Sequence, residues 1–114
     1  MPYLKIQSNQ EIAENKKEDI VLKASKLLST ELGKPESYIQ VVFEPAARMC
    51  FAGTCAPTVF MELKSIGLSN NMTGALAKAL CGFAEEILSV DKSRVYIEFL
   101  NIDGSMWGWN NRTF

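Results

Sequence analysis

Tyr38-Ile39-Gln40-Val41-Val42-Phe43-Glu44 decides the fold. Ile39, Val41 and Phe43 alternate with Gln40, Val42 and Glu44, the period of a strand with one buried face, and Pro45 closes the run. Upstream, Ile20, Ala24, Leu27, Leu28 and Leu32 recur at helical spacing opposite Lys23, Lys26 and Glu31, and Gly33 followed by Pro35 stops that helix. Its start is open between two capping boxes, Ser8-Asn9-Gln10-Glu11 and Asn15-Lys16-Lys17-Glu18. Before it, residues 3–7 alternate again, with Leu4 and Ile6 on one face and Tyr3, Lys5 and Gln7 on the other. The first 45 residues therefore read as strand, helix, strand.

Past residue 45 the order repeats. Residues 46–56 are small and loop-like, with room for a short edge strand, and Pro57 opens a strand over residues 58–66. Met72, Leu76, Ala79, Leu80, Phe83, Ile87 and Leu88 form the apolar stripe of a second helix capped by Asn70 or Asn71. Residues 95–100 follow as a strand. The lead-in Val90-Asp91-Lys92-Ser93-Arg94-Val95 parallels Gly33-Lys34-Pro35-Glu36-Ser37-Tyr38-Ile39, which suggests an internal duplication.

The expected fold is α+β: two βαβ units forming one four-stranded mixed sheet. Right-handed crossovers place both helices on one face. The uncovered face would carry Val42, Phe60, Ile66, Tyr96 and Leu100 among Gln40, Glu44, Glu62, Lys64 and Glu98, too apolar for water alone, so a partner chain is expected to cover it.

Composition narrows the chemistry. A chain of 114 residues with 47% hydrophobic and 22% charged residues fits a single domain, residues 1–114. A net charge of −1 offers no field for nucleic acid or anionic lipid, and no apolar run is long enough for a membrane span or a signal peptide, so residence in the cytoplasm is expected. The absence of histidine removes Ser-His and Cys-His nucleophiles, and with three irregularly spaced cysteines it argues against a zinc site or any other metal cofactor. Cys50, Cys55 and Cys81 read as small buried hydrophobes.

A base must then come from elsewhere. Loss of the initiator methionine ahead of a residue as small as Pro2 would leave a free secondary amine, with an ordinary pKa of about 7.7–8.0 that an apolar setting could bring into working range. Equally, a proline at the start of a strand needs no function, because no ladder N–H is required there. The ending Gly104-Ser105-Met106-Trp107-Gly108-Trp109-Asn110-Asn111-Arg112-Thr113-Phe114 reads as an aromatic pocket wall or an intersubunit strand; base stacking would require a basic groove that the chain lacks.

Met1-Pro2, the run from Gly33 to Ile39, the segment from Met49 to Thr54 followed by Pro57, Ser65-Ile66-Gly67, Arg94-Val95-Tyr96-Ile97 and the ending from Gly108 to Phe114 together resemble the macrophage migration inhibitory factor (MIF) family of the tautomerase superfamily. The resemblance spans essentially the whole chain. It implies a homotrimer with active sites at subunit boundaries, no cofactor, and Pro2 as general base for keto–enol exchange of phenylpyruvate-like acids or dopachrome. It also implies that Lys34 and Ile66 line the substrate pocket with Trp109 and Phe114, that Tyr96 comes from the neighbouring subunit, and that secretion without a signal peptide and an extracellular receptor are open to such a protein. Two positions near the expected pocket depart from the family: Glu98 stands where asparagine is common, and Trp107 replaces a smaller aliphatic residue. Thr58-Val59-Phe60-Met61 replaces the Cys-x-x-Cys of the cytokine members, so the thiol–disulfide activity proposed for that motif does not transfer. A phenylpyruvate-type tautomerase is thus the first expectation, a non-enzymatic cytokine-like binding module the alternative, and a regulatory ligand-binding domain of similar build the third.

Overall fold

A computed structural model describes residues 1–114. Strand β1 (Tyr3–Ser8) leads to helix α1 (Glu14–Leu32) and strand β2 (Gln40–Glu44), and strand β3 (Val59–Ile66) leads to helix α2 (Thr73–Leu88) and strand β4 (Val95–Ile102). The sheet order is β2-β1-β3-β4. β1 runs parallel to β2 and β3 runs parallel to β4, while the two central strands are antiparallel, with Leu4 opposite Leu63 and Ile6 opposite Met61. The expected mixed sheet of two βαβ units is the fold observed.

Alternation puts Leu4, Ile6, Val59, Met61 and Leu63 on the helix-covered face, where they are fully or almost fully buried. Ile20, Ala24 and Leu28 of α1 and Leu76, Leu80, Phe83, Ala84 and Leu88 of α2 complete one core cluster. At roughly 1.5–3 kcal/mol for each large aliphatic or aromatic side chain removed from water, this cluster is the main driving force. Polar links join the halves inside it. The Ser8 hydroxyl donates to the Thr58 carbonyl (3.1 Å), the Thr58 hydroxyl donates to the Arg94 carbonyl (2.8 Å), and the Thr58 N–H donates to Asn9 Oδ1 (2.9 Å).

Several ends differ from the sequence expectation. Neither capping box forms: α1 starts at Glu14 behind Ala13 with no side-chain cap, because Ser8 closes β1 and its hydroxyl accepts instead from the Gln10 N–H. At α2, Asn70 and Asn71 lie in a 3₁₀ turn rather than capping the helix. Tyr38 belongs to the 3₁₀ turn Glu36–Tyr38, so β2 begins two residues later than the alternation suggests. β4 continues to Ile102. The loop after β2 has no edge strand, only the Phe51–Thr54 bridge. The cysteines are not core residues, since Cys50 and Cys55 are exposed and Cys81 is half-buried.

The C-terminal stretch folds into a small hairpin, β5 (Gly108–Trp109) against β6 (Arg112–Thr113). Asn110 and Asn111 make its turn with φ of 52° and 65°, the left-handed pair that a two-residue hairpin requires and asparagine tolerates. The Phe114 N–H donates to the carbonyls of Gly104 and Trp107 (3.1 and 3.2 Å). A Cβ on Gly104 would lie 3.2 Å from the Phe114 carbonyl oxygen, so glycine permits this closure. The hairpin thereby returns to the amino terminus.

Only 19 of 114 residues are buried, a thin core for this length. The open face explains it. Tyr96 and Leu100 on β4 are 62% and 45% exposed, and the outer edges of β2 and β4 are unpaired.

Candidate active site

Pro2 is buried at the head of β1, and its carbonyl accepts from the Gln40 N–H (3.1 Å), which fixes it between β1 and β2. In front of it lies a cleft of about 330 Å³ lined by Met1, Pro2, Tyr38, Trp107, Trp109 and Phe114, with Ser37, Ile39, Gln40 and Gly108 at its edges. The aromatic wall is rigid. Trp109 stacks on Phe114 (5.6 Å between centroids, 14° between planes) and meets the edge of Tyr38 (6.0 Å, 76°), while the Arg112 guanidinium lies 5.6 Å from the Trp109 ring. Offset aromatic pairs of this kind contribute roughly 0.5–1.5 kcal/mol each beyond burial.

Lys34 supplies the charge. Gly33 ends α1 in the left-handed conformation (φ 64°), and Lys34 follows with its backbone held by Ser29, whose hydroxyl donates to the Lys34 carbonyl (2.6 Å). Its ammonium crosses to the end of β3, donating to the Ile66 carbonyl (2.6 Å) and to Ser65 Oγ (3.1 Å). An ammonium has three donors, and the third is directed at the Met1 amine. The amine of Met1 adjoins this cation, and burial first, then the Lys34 charge and hydrogen bond, lower its pKa from 8.0 to about 6. A terminal amine here is mostly unprotonated at neutral pH, whereas an ordinary one is mostly charged.

The chain's own cleft brings Pro2, Trp107, Trp109 and Phe114 together; Lys34 and Ile66 are not among its lining residues, and Lys34 meets it only through the Met1 amine. It does not include Tyr96 or Glu98. Both lie on the opposite edge strand β4, on the open face, in register with Phe60 and Glu62. Tyr96 rests against Phe51 instead (4.7 Å, 67°). Glu98 has no ion-pair partner; Lys64 lies 3.9 Å from Glu62. Sequence reasoning missed Tyr38, which the alternation absorbed into a strand, and Ser65, a buried hydroxyl whose signal was the need of a half-buried Lys34 for an acceptor. Larger hollows exist, including one of about 630 Å³ between α1 and α2. Chemistry rather than size selects the terminal cleft, because it alone joins an uncharged amine, a cation and an aromatic wall.

The family model described as Macrophage migration inhibitory factor (MIF) matches residues 1–114. The chain is similar to a macrophage migration inhibitory factor homolog of Brugia malayi, 35% identical over 116 residues, covering 100% of this chain and 99% of that one. It is also similar to macrophage migration inhibitory factor of Rattus norvegicus, 35% identical over 88 residues and 76% of each chain. Among solved structures, a macrophage migration inhibitory factor homologue from Prochlorococcus marinus superposes with a TM-score of 0.92 at 32% identity, covering 98% of both chains. The Trichinella spiralis factor gives 0.90 at 29% identity, covering 98% of this chain and 99% of the other.

Proposed function

The chain belongs to the macrophage migration inhibitory factor family, and from that premise we propose that it is a keto–enol tautomerase for phenylpyruvate-type acids, with dopachrome as a related substrate, that works as a homotrimer without a cofactor. One observation carries the reading: buried Pro2 stands at the aromatic cleft, and the Lys34 ammonium lies beside the Met1 amine that precedes it. Met1 itself lines that cleft, so its removal both frees the Pro2 amine and clears space for a substrate. The Pro2 nitrogen takes the proton from the α-carbon, Lys34 holds the carboxylate and offsets the developing enolate charge, and the proton is delivered to the carbonyl oxygen. Trp107, Trp109, Phe114 and Tyr38 hold the aryl group.

Tyr96 and Glu98 enter from a neighbouring copy. The thin core, the half-apolar open face and the unpaired edges of β2 and β4 support that assembly. A second reading, a trimeric cytokine-like module with an extracellular receptor that keeps the cleft without turnover, is favoured by Glu98, whose carboxylate opposes an anionic substrate. Under the first reading the protein works in the cytoplasm, and under the second it leaves the cell without a signal peptide.

The test is an enol-absorbance assay with phenylpyruvate on protein lacking Met1, with light scattering on the same sample. Rapid loss of the enol signal at a trimer mass is expected. No rate above buffer would remove the enzyme reading, and a monomer mass would remove the shared site.

A further inference from the structure

We propose that Cys50 and Cys55 are a redox site, forming a reversible disulfide across the hairpin between β2 and β3. Phe51 and Thr54 exchange both backbone hydrogen bonds (2.9 and 3.1 Å) across a two-residue turn, Ala52 and Gly53, with φ of 54° and 76°. This is a tight hairpin, and Gly53 and Ala52 take the left-handed pair that its turn needs. A pair that exchanges both bonds is followed outward by a pair that exchanges none, where backbones come closest, about 4.5 Å between Cα atoms. Cys50 and Cys55 stand next outward from the Phe51–Thr54 bridge, which is isolated, so the regular ladder ends one residue short of them. Disulfides span Cα separations of about 4.4–6.8 Å.

Three further features favour the bond. Both thiols are exposed, and both line one concavity with Asn9, Glu11 and Arg48. Arg48 offers a cation there to a small acidic disulfide such as oxidised glutathione. The hairpin is anchored from outside: Asn9 Nδ2 donates to the carbonyls of Cys55 and Ala56 (3.1 Å each), and Arg94 Nη2 donates to those of Thr54 and Ala56 (3.4 and 3.1 Å). These bonds fix the Cys55 arm, so closure would be made by movement of the Cys50 arm.

The reaction is thiol–disulfide exchange. One cysteine thiolate attacks a sulfur of oxidised glutathione, forming a mixed disulfide and releasing one glutathione thiolate. The second cysteine thiolate then displaces the other glutathione. The two cysteines lose two electrons, the small disulfide gains them, and the two thiol protons pass to solvent or to the released thiolates. Phe51 lies inside the ring so closed and packs against Tyr96, so oxidation stiffens the support of that side chain. Cys81 is the internal reference, since it is half-buried and burial and Glu85 push its thiol up.

The test is incubation of the folded full chain with oxidised glutathione, alkylation of remaining thiols, and peptide mass mapping. A Cys50–Cys55 cross-link lighter by two hydrogens, reversed by dithiothreitol, with Cys81 alkylated, is expected. In Cys50→Ser and Cys55→Ser, checked as folded by circular dichroism, the surviving thiol should stop at a stable glutathione adduct. The proposal is overturned if wild-type Cys50 and Cys55 retain separate glutathione adducts, link to another chain, or stay reduced. None of these outcomes depends on tautomerase activity.

Discussion

The two βαβ halves end their helices alike and then diverge. Gly33 closes α1 and Ser89 closes α2 in the same left-handed conformation (φ 64° and 56°), and a 3₁₀ turn leads into the next strand in each. In the second half the residue after the cap is Val90, fully buried in the core, and the turn ends at Arg94, which donates to the carbonyls of Thr54, Ala56 and Pro57 and lies 5.1 Å from the Phe51 ring. In the first half the corresponding residues are Lys34, whose ammonium reaches the terminal amine, and Tyr38, which leans on Trp109. One scaffold is sealed and tied at one end and left open at the other. Site formation thus rests on two side chains at matched positions, with the C-terminal hairpin supplying the wall.

Breaking the open half should give the largest effect. Pro2→Gly keeps a terminal amine but loses the constrained secondary one, and kcat/KM for phenylpyruvate should fall roughly 10²- to 10⁴-fold, the usual weight of a general base, with an unchanged circular dichroism spectrum. Retained Met1 should have a comparable effect, checked by intact mass beside the assay. Next, Lys34→Ala removes a charge-assisted contact of roughly 1.5–3 kcal/mol, so KM should rise roughly 10- to 100-fold with a smaller change in kcat. Lys34→Val, which copies Val90, should seal the cleft and lose activity while the melting temperature holds or rises.

In the closed half the expected effect is on stability. Arg94→Ala deletes hydrogen bonds to three carbonyls on an exposed surface, and denaturant unfolding should show a loss of about 1 kcal/mol. The smallest effect is expected at Glu98, which is exposed in the single chain. Glu98→Gln should lower KM for phenylpyruvate by up to roughly fivefold at low salt, since an exposed charge pair contributes under about 1 kcal/mol, and high salt should erase the gain.

Periodicity carried most of this architecture. Alternation in residues 3–7 and the helical stripes name nine of the fifteen core residues, because burial on one face imposes those periods, while Ile39, Val41 and Phe43 of the 38–44 alternation pack against that core only partly buried. Element ends were less legible. Ser8 and Tyr38 satisfy local patterns as well as a cap and a strand residue would, and only tertiary partners, Thr58 and Trp109, decide otherwise. Pro2, Trp107, Trp109 and Phe114 line one cleft, although 112 residues separate the first from the last in sequence. Tyr96 and Glu98 do not reach it within one chain, because β3 lies between β1 and their strand. The proposed assembly assigns them to a neighbouring copy. The cysteines were misread because residue type suggests burial while the tight Ala52-Gly53 turn puts two of them outside.

The central claim is that the amino-terminal cleft holds its amine as a free base at neutral pH. Titration of the Pro2 nitrogen by ¹⁵N NMR in protein lacking Met1 tests it directly. Burial first and then Lys34 lower the pKa of the Met1 amine, and the same two influences should hold the Pro2 midpoint below the ordinary 8, with a partial rise in Lys34→Ala, where burial remains. The acid limb of kcat/KM should follow the same midpoint, with activity lost as pH falls through it. A midpoint near 8 in the wild type, indifferent to Lys34, would contradict the account.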